Sequence, residues 1–134
     1  MPPLRLLFVC VENSNRSQMA EAFARIHGRA LGLEVDAWSA GSRPSGVVNP
    51  KAIASMAELG YDLAVHRSKS LAEVEALEHD AVVTMGCGDA CPWVKARRRV
   101  DWQIPDPKQF EPADFRKVRD LVSAKVRALL EELT

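Results

Sequence analysis

An α/β fold built on a parallel sheet with helices on both faces is predicted for this chain by two features of its sequence. Short, nearly continuous apolar runs, the mark of strands covered on both faces, alternate with longer stretches whose apolar residues recur at helical spacing. The connections between them are rich in glycine, proline and asparagine, as strand-to-helix crossovers require. At 134 residues, 47% of them hydrophobic and only 8 proline, the chain has the size and apolar content of a single domain, 1–134, with a real core.

Taken in order, Leu4–Val9 reads as the first buried strand. A polar loop follows, then a helix over Ser17–Leu31 with Met19, Phe23, Ile26 and Ala30 on one face and Gly32 ending it. Glu34–Ser39 is the second strand, leading through Gly41 into a loop of serine, proline and glycine up to Asn49. Asn49 caps and Pro50 opens a helix whose stripe is Ile53, Met56 and Leu59 and whose stop is Gly60. A short helix is expected around Leu71–Leu77, a third buried strand at Ala81–Met85 and a short fourth at Arg99–Ile104. The charged run Lys95–Arg99 reads as a solvated loop. From Pro112 onward Phe115, Val118, Val122, Val126, Leu129 and Leu133 keep helical spacing to the end.

Charge excludes some function classes. Lysine plus arginine equals aspartate plus glutamate, 18 each, so no global field draws in nucleic acid or an anionic membrane, and neither is expected as a partner. The apolar burst Leu6–Val11 is too short to span a bilayer and no small-residue cleavage site follows it, so a cytoplasmic location is expected. Three cysteines are an odd number for a disulfide framework, and reduced thiols in that compartment suit catalysis or redox work as well as simple packing.

In an open parallel sheet, sites gather at the carboxyl ends of the strands, and Cys10 stands at such an end. It opens a loop of Cys10, Val11, Glu12, Asn13, Ser14, Asn15 and Arg16, with Ser17 next. Cys91 and Arg97 repeat the cysteine-to-arginine spacing, but no strand precedes them, so context separates the two. The first loop runs from a buried strand into a helix N-terminus, where free N–H groups and the positive dipole end favour an anion. Small polar Asn13, Ser14 and Asn15 allow it to curl with its amides inward, and Arg16 offers a planar fork to two oxygens. The same surroundings favour a Cys10 thiolate, to which Ser17 can donate a hydrogen bond, making Cys10 a nucleophile.

This loop and the following Gln18, Met19, Ala20, Glu21 and Ala22 resemble the low-molecular-weight protein tyrosine phosphatase superfamily. The resemblance continues through Trp38–Gly41, Val48–Ala52, His66–Lys69, Val83–Cys87 and Asp106–Pro107, nearly the whole chain. It implies a three-layer sandwich around a four-stranded parallel sheet. It also implies that Asp106, which a turn between Pro105 and Pro107 would accommodate anyway, is the general acid that protonates a leaving group. Phosphate and arsenate share charge and shape, so this machinery serves a phosphatase and an arsenate reductase equally.

The remaining cysteines bear on that choice. Reducing arsenate takes two electrons, which thiols supply if a second thiolate attacks Cys10 after it has bonded to arsenic. Cys87 and Cys91 lie in a glycine-containing segment, and a spacing of four leaves a disulfide between them feasible. The thioredoxin-coupled arsenate reductases that the chain resembles use matching cysteines to carry a disulfide to the surface. The resemblance thus makes Cys87 the second thiol, Cys91 the third and a thioredoxin-like protein the external reductant, with no bound cofactor. A zinc or metalloid site at Cys87 and Cys91 is the alternative, with no histidine three or four residues away to support it.

Further expectations come from departures. Lys108 and Gln109 follow Asp106–Pro107 where tyrosine phosphatases often place aromatic residues, which suits a small inorganic substrate with residual phosphatase activity. Some reductases of the family bind potassium at positions resembling Asn13, Glu21 and Ser39, but Arg67 and Lys69 stand where further ligands are expected. No metal is therefore expected, and Asn13, Glu21, Ser39, His66 and Ser68 are expected to brace the loop. A three-thiol metalloid sensor and a passive oxyanion-binding module are the readings outside catalysis.

Overall fold

The computed structural model describes residues 3–74, 77–86 and 94–134. Four strands, β1 (Leu4–Cys10), β2 (Val35–Gly41), β3 (His79–Thr84) and β4 (Ala96–Asp101), form one sheet in the order β2-β1-β3-β4 with every pair parallel. The helices are α1 (Arg16–Ala30), α2 (Pro50–Ala57) and α3 (Pro112–Glu132). Among the described residues no helix is long and apolar enough to cross a membrane.

The period-2 alternation of the central strands divides the apolar residues between two faces. Leu6 and Phe8 of β1 and Ala81 and Val83 of β3 face the larger core, with Met19 and Phe23 of α1, Met56 of α2 and Phe115, Val122 and Val126 of α3. Leu7, Val9 and Val82 point the other way, onto Leu71, Val74 and Val94. Helix starts follow local chemistry. Asn49 Oδ1 accepts from the Lys51 amide and Pro50 opens α2, while Pro112 opens α3.

Two expectations shift. The fourth strand lies at Ala96–Asp101 and not at Arg99–Ile104, so most of the charged run read as a loop is strand. The reason is its position: β4 is an edge with one partner, where Val100 packs inward and the exposed Arg97, Arg98 and Arg99 keep the open edge charged. Within the expected helix at Leu71–Leu77, a 3-10 turn spans Leu71–Glu73, closed by a capping box between Ser70 and Glu73. Residues 75 and 76 lie outside the described residues.

Candidate active site

Parallel pairing puts the carboxyl ends of β1 and β3 side by side, with Val9 opposite Thr84, and the chain turns from Cys10 directly into α1. The loop between them is fixed by its carbonyls. Cys10 O accepts from the Ser42 amide, Val11 O from Arg43, Glu12 O from Ser45, Ser14 O from Asn49 and Asn15 O from Met19. Asn13 O accepts from Gln18 Nε2, and Ser68 Oγ donates to Glu12 O at 3.1 Å. With every carbonyl from Cys10 to Asn15 turned outward, the N–H groups of Val11–Arg16 find no acceptor among the described residues. Converging free amides at the start of a fifteen-residue helix are what a tetrahedral oxyanion binds.

Asn13 makes this curl possible. It is fully buried and adopts φ 51°, a left-handed conformation that asparagine tolerates better than most residues. The Lys69 amide, which can only donate, lies 2.9 Å from one end of the Asn13 side chain and identifies that end as Oδ1. The other end, Nδ2, therefore donates to Ser17 Oγ at 2.8 Å. Ser17 Oγ stands 2.9 Å from Cys10 Sγ, and since it already accepts from Asn13, its own hydrogen is free to point at the sulfur. That direction suits a thiolate.

Arg16 is 7% exposed, and its Nη1 donates to Met85 O at 2.7 Å and Ile104 O at 2.9 Å. One arm of the fork ties the Cys10 loop to the ends of β3 and β4. Cys10, Arg16, Asp106, Glu12 and Lys108 share the lining of a cavity of about 280 Å³. Asp106 is exposed, and its Oδ1 accepts from the Lys108 amide at 3.1 Å, capping the turn at Pro107–Gln109. The structure thus gathers Cys10, Asn13, Ser14, Asn15, Arg16, Ser17 and Asp106 at the carboxyl end of the sheet, while Cys87 and Cys91 lie outside the described residues.

Comparison with known proteins places this architecture. Residues 5–134 match the low molecular weight phosphotyrosine protein phosphatase family. The chain belongs to that family. Its relatives include an arsenate reductase of Halalkalibacterium halodurans, 36% identical over 94% of each chain. A glutaredoxin arsenate reductase of Synechocystis sp. is 36% identical over 97% of this chain and 98% of that one. Among solved structures, an arsenate reductase in its phosphate-binding state shares 36% identity and a TM-score of 0.85, covering 98% of this chain and 99% of that one.

Behind the loop of this family member sits a buried charged cluster. Glu21, 4% exposed, accepts from Ser39 Oγ at 2.6 Å and pairs with Arg25 at 2.9 Å, while Lys69 Nζ stands 3.7 Å away. His66 Nδ1 lies 3.0 Å from Gln18 Oε1 and 3.3 Å from Glu21, and its Nε2 lies 2.6 Å from the Tyr61 hydroxyl. His66 therefore braces Gln18, and through it Asn13.

Burial pushes the His66 pKa below its ordinary 6.5, outweighing the attraction of Glu21, while Arg25 and Lys69 push the same way as burial and Asp62 opposes it. Burial also lowers His27 and His79. Because the folded state binds these protons less readily than the unfolded chain, the stability they contribute is complete above about pH 6.5 and is lost as pH falls through the lower folded values. The urea midpoint is expected to drop steadily between about pH 7 and pH 5, read from denaturation curves at fixed ionic strength.

Two glycines to which the sequence reading gave no role at the site matter here. A Cβ on Gly41 would meet Val11 O at 2.6 Å and the Asn13 amide nitrogen at 3.0 Å, so the second strand approaches the loop backbone too closely for any side chain. Gly86 has φ +74°, and a Cβ on it would sit 3.1 Å from Arg16 Nη1. The available signal was position, since Gly41 ends and Gly86 follows a strand that pairs with β1.

Proposed function

We propose that the chain is an arsenate reductase, one catalytic domain that works through a Cys10 thiolate and returns to the reduced state by thiol exchange. The observation that carries this reading is the Cys10 loop, carbonyls outward and amides free, with the Ser17 hydroxyl on Cys10 Sγ. Relatives named as arsenate reductases at 36% identity over almost the whole chain support the choice of oxyanion.

In the proposed cycle the Val11–Arg16 amides and the Arg16 fork hold arsenate, and Cys10 Sγ bonds to arsenic while one oxygen departs with a proton from Asp106. Cys87 then attacks Cys10 Sγ. A Cys10–Cys87 disulfide forms, and the electron pair of the sulfur–arsenic bond leaves on arsenic, which departs as arsenite. Cys91 next attacks Cys87, freeing the Cys10 thiolate and leaving a Cys87–Cys91 disulfide for an external dithiol protein of the thioredoxin or glutaredoxin type. The second reading is hydrolysis of phosphate monoesters through a Cys10 phosphoenzyme, supported by a 26% identical tyrosine phosphatase structure at TM-score 0.85.

The test is arsenate-dependent NADPH oxidation with thioredoxin and thioredoxin reductase, and in parallel with glutaredoxin, glutathione and glutathione reductase. Cys10→Ser is expected to abolish turnover. Cys87→Ser and Cys91→Ser are expected to abolish reduction while sparing any hydrolysis of p-nitrophenyl phosphate. Hydrolysis without reduction in the unmodified protein establishes the phosphatase reading instead.

A further inference from the structure

One wall of the anion cavity has the wrong sign. Glu12 belongs to the Cys10 loop and its carboxylate lines the same cavity as Arg16, where a negative charge opposes an entering dianion. Lys108 answers it, with Nζ 3.0 Å from Glu12 Oε1 although the two residues are 96 apart in sequence. The pair links the Cys10 loop to the turn that carries Asp106.

The backbone on both sides of the pair is anchored, at Glu12 O by the Ser45 amide and Ser68 Oγ. The Lys108 amide donates to Asp106 Oδ1, and Lys51 Nζ of α2 donates to Lys108 O at 3.2 Å and Phe110 O at 3.3 Å. The two side chains themselves are 50% and 35% exposed. An ion pair this wet favours its closed geometry by only about fivefold or less, so it can open within each catalytic cycle.

The geometry points to the Glu12–Lys108 pair as the specificity gate of the cavity. Closed, it admits a bare tetrahedral oxyanion and obstructs a substituent carried on the oxygen that faces Asp106. This rests on the oxyanion-handling reading above, in which that oxygen is the one Asp106 protonates. Glu12 and Lys108 act here as specificity-determining residues and not as participants in bond making.

The test uses the full chain carrying Cys10→Ser, so that nothing turns over, and compares dissociation constants for inorganic phosphate and phenyl phosphate by titration calorimetry. Titrated well above neutral pH both probes are dianions, so a change in rim charge moves both constants and largely cancels in their ratio, which reports the mouth alone. Lys108→Ala and Glu12→Gln are each expected to shift the ratio toward phenyl phosphate by about three- to tenfold. Lys108→Arg should keep the original ratio, and the double variant should shift it no further than either single one, because the pair acts as a unit. If phosphate binds and the ratio stays flat in the single variants, or the double variant is additive, the gate is overturned and the oxyanion site stands. Should phosphate fail to bind with Glu12 and Lys108 intact, the oxyanion site falls and the gate with it.

Discussion

Glu21→Ala is expected to lower the unfolding free energy by about 3–5 kcal/mol, a large part of the stability of a domain this size. The carboxylate sits on α1 amid Ser39, Arg25, Lys69 and His66, and Lys69 is only 8% exposed. Arg25 can turn to water when its partner goes, because its side chain is 45% exposed. Lys69 has no such escape, and burial already lowers its pKa, with Glu21 opposing that shift. Urea denaturation should show a lower midpoint at unchanged slope. A Glu21→Gln, Lys69→Met double variant should recover much of the loss, since an uncharged pair of similar volume avoids the stranded charge.

Arg16→Lys is expected to cost at least about a hundredfold in kcat/KM with the fold retained. The guanidinium has two jobs at once, holding Met85 O and Ile104 O with Nη1 while its other donors remain for the anion. A lysine ammonium, a single point of charge on a flexible stem, cannot satisfy both carbonyls and still present a planar pair of donors. Steady-state rates on arsenate and on p-nitrophenyl phosphate should fall together, and a thermal melt should show only a modest loss from the carbonyls left unpaired. A variant that keeps its rate would mean that the amides of the loop hold the anion without Arg16.

Local pattern was enough to find the Cys10 loop, the α1 and α3 stripes and the Asn49–Pro50 start of α2, because each depends on neighbours within a few residues. Local pattern failed where distant segments decide. Arg97, Arg98 and Arg99 read as solvent-facing loop until pairing with β3 makes them an edge strand. Lys69 entered the sequence reading only as a residue standing where a further potassium ligand is expected, and the approach of α1 and β2 is what buries it against Glu21 and Ser39. The closeness of Gly41 to Val11 depends on the register that sets Cys10 opposite Gly41. Asn13, Glu21, Ser39, His66 and Ser68 do form the bracing expected of them; Ser68 reaches Glu12 O directly, whereas His66 acts through Gln18, whose amide joins Asn13 to His66.

The tie from Arg16 to the Met85 carbonyl has a thermodynamic consequence. Met85 directly follows β3 and stands two residues before Cys87, the proposed second thiol, so the end of β3 is anchored by the arginine proposed to hold the anion. Any rearrangement that draws Met85 away from Arg16 must weaken the hold on the anion. Linkage makes that relation mutual: a bound oxyanion resists the same rearrangement by an equal free energy, and its departure releases it. Occupancy of the cradle and the hold on Met85 are therefore two readings of one equilibrium.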